Sequence, residues 1–367
     1  MNRYLIFVIL YVFLNSALYG EEKIESGEEK IDLMAKARAE KNIDEAIKLY
    51  TTVIKESPEL AKAIFNRGKL YKKKKEYEKA LDDFSNYIRL SPDEFVGYYV
   101  KGRIFTRLKK YALASKTITA YIRRYPEDPK GYFERGYISR YFAKKLMPAI
   151  NDFSKVIELS PQDSTAYIER GLAYLGIGDF ERAIEGFTNG IKYDPHNSIA
   201  FRERGRCYKE LKEYETAVAD FKRSLEYNPD NIWTYHFVAA TYYKMEELDH
   251  ALDYANQAIE RGKSDITYDL RANIQRDLGA YGKALEDVEE AFKLGGKYYF
   301  TRGSILFLKN ENNKAFDDFM EVFKENEDAE KEKFNILVME RVDGLSSFVG
   351  KVKEKYDDLL KKYGAVE

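Results

Sequence analysis

Six of the eight prolines in this 367-residue chain keep one beat. Pro58, Pro92, Pro126, Pro161, Pro195 and Pro229 follow one another at intervals of 34, 34, 35, 34 and 34 residues. Proline cannot continue a helix, so each marks a stop. The stretch Ala61 to Glu94, AKAIFNRGKLYKKKKEYEKALDDFSNYIRLSPDE, represents the interval between stops. It reads as two short helices joined by a turn near Tyr77. A period of this length with two helices per unit is the signature of a stacked helical array.

Small residues return at two phases of the period. Gly68, Gly102, Gly136, Gly171, Gly205, Ala239, Ala272 and Gly303 recur in the first helix of successive units. Ala46, Ala80, Ala114, Ala149, Ala183, Ala217, Ala251, Ala284 and Ala315 recur in the second. A mid-helix glycine costs about 1 kcal/mol relative to alanine, so its return at one phase implies close helix packing. Large residues fill the seam around it, with Tyr71, Phe105, Tyr174, Tyr208 and Tyr242 in first helices. Phe84, Phe153, Phe187, Phe221 and Phe319 do the same in second helices. Their helical spacing reads as core.

A charge pattern runs inside this frame. Arg67, Arg135, Arg170, Arg204, Arg271 and Arg302 precede the small residue of the first helix. Asp83, Asp152, Asp220, Asp287 and Asp318 stand three residues after the alanine of the second. Units two, four, six, eight and nine carry both residues, and unit five alone has the arginine without the aspartate. This agreement predicts an Arg–Asp contact between paired helices.

The small–aromatic–Ala–aromatic–Pro pattern resembles the tetratricopeptide repeat family over Gly27 to Lys324, about nine units. The resemblance implies an all-α, right-handed superhelical solenoid of stacked antiparallel helix pairs. It also implies a binding scaffold whose first helices line a concave face. Units two to six match closely. Unit one is degenerate, with Met34 and Ala37 at consensus positions. Units seven and eight replace the closing proline by Gly262 and by Gly295–Gly296, and unit nine begins about three residues early. Unit four has one extra residue, placed near Lys145 to Pro148. The segment 325–367 loses the period and reads as capping helices over the last seam.

Met1 to Gly20, MNRYLIFVILYVFLNSALYG, has the layout of a secretory signal peptide. Arg3 forms a positive start, and an apolar run from Tyr4 to Leu14 follows, too short for a span of about 20 residues. No cysteine follows the run, which excludes lipid attachment there. The expected product is exported, periplasmic or secreted, with no stable membrane span after signal removal. An uncleaved N-terminal anchor is the alternative.

Chemistry is hard to find. Lys and Arg number 61 against 62 Asp and Glu, so no net field points to nucleic acid. His196, His236 and His250 are scattered, and Cys207 is alone, so neither a metal site nor a disulfide is expected. Gly176-Ile177-Gly178 reads as a turn. No phosphate loop, dinucleotide fingerprint or nucleophile elbow occurs. No cofactor and no catalytic residue are assigned.

The resemblance places the exposed positions of the first helices on the ligand face. The candidate peptide-binding residues are Lys62, Phe65, Lys69, Lys72, Tyr99, Arg103, Arg107, Phe133, Tyr137 and Arg140. Asn66, Lys73, Val96, Val100, Thr106, Lys130, Glu134 and Tyr141 share their positions. The carboxylate clamp of some family members is not reproduced, because Lys62 and Asn66 lack the matching Asn and Arg downstream. Cations interleaved with aromatics suit an acidic, partly apolar peptide. The function read from the sequence is a non-catalytic protein or peptide scaffold. A structural part of an envelope assembly or secretion machine, and an enzyme with a site assembled across repeats, are the rival readings.

Overall fold

The computed structural model describes residues 31–324 and 344–363. The expected signal peptide, and residues 325–343 of the expected cap, lie outside them. The described residues form helices and no strand. The chain divides into two compact units, residues 1–177 and 178–367.

In the first unit, helical residues 31–39 (α1) are followed by α2 (Ile43–Glu56), α3 (Ala61–Lys73), α4 (Tyr77–Leu90), α5 (Phe95–Arg107) and α6 (Tyr111–Arg124). Next come α7 (Pro129–Tyr137), a π-helical turn (Ile138–Phe142), α8 (Leu146–Leu159) and α9 (Ser164–Gly176). The second unit holds α10 (Phe180–Tyr193), α11 (Ser198–Glu210), α12 (Tyr214–Tyr227), α13 (Ile232–Lys244) and α14 (Leu248–Arg261). It continues with α15 (Asp265–Asp277), α16 (Tyr281–Lys293), α17 (Tyr299–Leu308), α18 (Asn312–Lys324) and α19 (Leu345–Tyr363). Within each unit, successive helices pack on their chain neighbours.

Local chemistry sets the ends. Pro58, Pro92, Pro126, Pro161, Pro195 and Pro229 all sit in the turns after second helices. Two residues past the last three prolines, Asp163, Asn197 and Asn231 cap the next helix by accepting from the backbone N–H of Ala166, Ala200 and Thr234. From the second pair on, the turn inside the pair holds a left-handed residue. Lys75, Lys109 and Lys144 take it in the first unit, and Gly178, Lys212, Glu246, Gly279 and Asn310 in the second.

The small residues are contact points. A Cβ on Gly68 would stand 3.2 Å from Phe84, on Gly136 3.1 Å from Phe153, and on Gly205 2.8 Å from Phe221. These phenylalanines are fully buried. In the second unit α19 lays Leu345, Phe348 and Val352 on Phe307, Phe316 and Phe319 of the last pair. That contact covers the open seam at the end of the stack.

All five expected Arg–Asp pairs form, and each is bidentate. Nε donates to one carboxylate oxygen and Nη2 to the other, at 3.0 and 2.7 Å for Arg67–Asp83 and 2.9 and 2.7 Å for Arg135–Asp152. In the second unit the distances are 2.7 and 2.8 Å for Arg204–Asp220, 2.8 and 2.6 Å for Arg271–Asp287, and 3.0 and 2.8 Å for Arg302–Asp318. The third nitrogen, Nη1, reaches back to the second helix of the preceding pair. It donates to Thr51, Thr119, Thr188, Asn256 and Glu289 in turn. Each arginine therefore ties three helices together. Lys101 makes a shorter version of the contact, donating to Ser85 at 2.8 Å.

One sequence expectation is corrected. The extra residue of unit four does not lie near Lys145–Pro148 but in the π-helical turn Ile138–Phe142, where the N–H of Ala143 bonds the carbonyl of Ile138. A wide helical turn absorbs an added residue without unpairing the backbone.

Removing one member of a buried pair strands the other. Arg204→Met should cost about 3–5 kcal/mol, while Arg204→Met with Asp220→Leu should recover most of the loss. Urea melts of the two variants check this. Overpacking at Gly205→Leu should cost about 1–3 kcal/mol in the same assay.

Candidate functional site

The candidate residues divide by location. On α3, Lys62, Lys69, Lys72 and Lys73 project into solvent with no ion pair among the described residues. Lys69 lies over the ring of Phe65 at 5.9 Å. Phe65 itself turns inward, 5.6 Å from Phe84 and 4.7 Å from Tyr87. Phe133 does the same against Phe153 at 5.6 Å. Both rings are half-buried and pack against the seam of their own pair. Tyr99 and Arg107 on α5 are exposed, and so is Lys130 at the start of α7.

Three positions expected to be exposed are covered. Val100 is buried against Ala80, Phe84 and Ile104. Thr106 is buried and donates to the carbonyl of Arg103. Glu134 is only 7% exposed. Val100 is covered by α4 of the preceding pair, a cover that the repeat period does not display.

Arg103, Tyr137 and Arg140 are brought together around Glu134 and Glu169. The Arg103 guanidinium lies 5.6 Å from the Tyr137 ring and 5.4 Å from that of Phe142. Its Nη1 stands 3.9 Å from Glu134 Oε1, beyond hydrogen-bond reach. Arg140 comes from the π-helical turn and donates to Glu169 Oε2 from Nε at 2.8 Å and from Nη2 at 2.5 Å. Tyr141 donates to Glu169 Oε1 at 3.4 Å, and its ring lies 3.7 Å from the Arg140 guanidinium and 4.3 Å from Tyr137. The inserted residue thus aims Arg140 and Tyr141 at α9. Arg140 is consumed by this pairing and is not a free cation.

Glu134, Glu169 and Glu203 occupy the same position, two residues before the small residue of α7, α9 and α11. Two are saturated. Glu169 accepts from Arg140 and Tyr141, and Glu203 from Arg202 at 2.8 Å and Arg206 at 2.5 Å. Glu134 differs, because its buried Oε1 has no hydrogen-bond partner among the described residues. Burial pushes its carboxyl up to about 7, against the weaker opposing pull of Arg103.

In the second unit, first helices enclose a polar network that sequence reasoning missed. Arg276 is fully buried and donates to Asn273 at 2.7 Å, Asp277 at 2.7 Å, Ser304 at 3.2 Å and Tyr243 at 3.2 Å. It joins α13, α15 and α17. The repeat period assigns its position to the exposed face, so its burial leaves no mark in the sequence. His236 is buried against Thr267 and held down to about 4 by burial. Cys207 is buried in α11, its thiol pushed up to about 12. Among the described residues no group of three His, Cys, Asp or Glu is placed to hold a metal, and no helix is long and apolar enough to cross a membrane.

Two stretches, residues 61–94 and 168–232, match family models of the tetratricopeptide repeat. The chain is a tetratricopeptide repeat protein. Solved structures repeat the fold. A tetratricopeptide repeat protein from Parabacteroides merdae ATCC 43184 matches at TM-score 0.50 and 16% identity, covering 70% of this chain and 98% of that one. The APC/C hetero-tetramer Cut9–Hcn1 matches at TM-score 0.51 and 13% identity, covering 84% of this chain and 58% of that one. No curated protein matches the sequence. The tetratricopeptide repeats make the chain a scaffold for protein interaction.

The raised carboxyl of Glu134 has a signed consequence. Folding holds a proton there that the unfolded chain releases near 4.5, so the contribution is present at acid pH and lost as pH rises through about 7. Glu134→Gln should therefore gain on wild type between pH 5 and 8, by about 1–3 kcal/mol. Thermal melts across that range read the difference, and a constant gap would refute it.

Proposed function

We propose that this protein is a non-catalytic scaffold that holds an acidic, partly apolar segment of a partner protein on the first-helix face of its first unit. One observation carries the reading: Lys62, Lys69, Lys72, Lys73 and Arg107 stand exposed on consecutive first helices without acid partners among the described residues. The exposed rings of Tyr99 and Tyr141 share that face. Rigid aromatic area and unpaired cations together suit a peptide carrying carboxylates and apolar side chains. The chain's balanced charge argues against nucleic acid as the partner.

Export supplies the setting. The first 20 residues have the composition of a cleaved signal, which makes the cell envelope or the exterior the place of action. A second reading rests on the second unit. Ile199, Trp233 and Ile266 recur at the second position of α11, α13 and α15, each close to half exposed. A row of apolar side chains suits flat contacts within a larger envelope assembly.

Lys69→Glu with Lys72→Glu and Arg107→Glu should lower partner capture from an envelope extract at least tenfold at low salt and leave the melting temperature within a degree or two. The wild-type interaction should weaken as salt rises. Capture unaffected by the reversals but lost with Trp233→Ala would favour the second reading. Mass spectrometry of protein recovered from cells should find a chain beginning near Glu21. A full-length species in a membrane fraction would replace export by anchoring.

A further inference from the structure

The groups around Glu134 do more than fill a seam. Its Oε1 is enclosed and without a partner, although the same position in α9 and α11 is saturated by arginine. The one cation facing it from a neighbouring helix is Arg103 on α5, too far for a hydrogen bond and laid against the rings of Tyr137 and Phe142. On α9, Glu169 is paired with Arg140 and Tyr141. On α8, Asp152 is paired with Arg135. Among the described residues no hydrogen bond reaches Oε1.

We propose that Glu134 and Arg103 form one binding site for a carboxylate side chain of the partner. Protonated Glu134 donates from its carboxyl O–H to one oxygen of the incoming carboxylate, and Arg103 donates to the other. The proton comes from solvent, no bond other than hydrogen bonds forms, and the net charge of the site rises by one before the ligand's negative charge cancels it. A ligand cation would face Arg103 at this place, and an ionised Glu134 would repel a ligand carboxylate. Only the protonated acid suits both the guanidinium beside it and an acidic guest. The upward displacement of the Glu134 carboxyl to about 7 puts that proton within reach at neutral pH. The exposed lysines of α3 and Arg107 supply attraction for the rest of an acidic segment. The assignment rests on the proposed acidic partner and adds to it the residue that reads the carboxylate.

The test uses the full chain and a fluorescent peptide of alternating aspartate and phenylalanine, with affinity read by anisotropy. A group titrating near 7 goes from about one-tenth to about nine-tenths protonated between pH 8 and pH 6, so affinity should rise about tenfold over that interval. Glu134→Gln carries a fixed donor and should bind at pH 8 as wild type does at pH 6, with the pH dependence gone. Arg103→Gln should weaken binding at both values. Calorimetry of the wild type in buffers of different ionisation enthalpy should show uptake of close to one proton per peptide at pH 8, a readout that needs no variant. Salt-sensitive binding with the same pH profile in wild type and Glu134→Gln would overturn the site and leave the acidic-partner reading standing. Binding that improves with rising pH would mark Glu134 as a receptor for a ligand cation and overturn it too. No binding at any pH would remove both readings.

Discussion

A guanidinium gripped by both oxygens of a buried aspartate is the contact on which the geometry of the repeats turns. The aspartate fixes the first helix against the second, and the spare nitrogen fixes both against the pair before. Bidentate pairing leaves the guanidinium plane little freedom, so the crossing of the helices is set by the fork rather than by the looser packing of aromatic rings. The carboxylate bonds also hold the guanidinium of Arg67, Arg135, Arg271 and Arg302 above its ordinary range, so the charge persists at any pH the fold survives.

The exceptions follow the same logic. Where the pair is missing in the second unit, Val238 takes the arginine position and is fully buried, and Tyr254 takes the aspartate position and packs on the same cluster. Both polar partners are exchanged for apolar ones together, which avoids an isolated buried charge. The first unit substitutes Lys101, which keeps the link to the preceding pair and drops the fork. Units three and seven, both without the fork, thus retain a connection at the same place by other chemistry.

Much of this was legible in the residues. Proline spacing located the ends of the second helices, glycine phase located the tight contacts, and the joint occurrence of Arg and Asp located the forks. Each is a local requirement that leaves a mark at its own position. What escaped were properties made by a neighbour. The burial of Val100, Thr106 and Glu134 depends on the helix pair that covers them. The inward turn of Phe65 and Phe133 depends on which of two apolar surfaces is nearer. The hydroxyl or amide that receives the third arginine nitrogen is readable after the fact, since Thr51, Thr119 and Thr188 each stand sixteen residues before their arginine. Nothing in the residue type alone distinguishes these threonines from solvent-facing ones.

The wide turn at Ile138–Phe142 has a consequence for how such a chain can diverge. An added residue in a loop would leave every helical face as it was. Added inside a helix, it rotates the side chains after it by about 100° while the following helix keeps its phase. Arg140 and Tyr141 therefore present different atoms to the next helix than their counterparts in other repeats, although their neighbours on either side are unchanged. A repeat array usually acquires individuality by substitution, one side chain at a time. Here a single inserted position redirects two side chains at once, and gives one repeat a surface that no exchange of residues in the regular frame would produce.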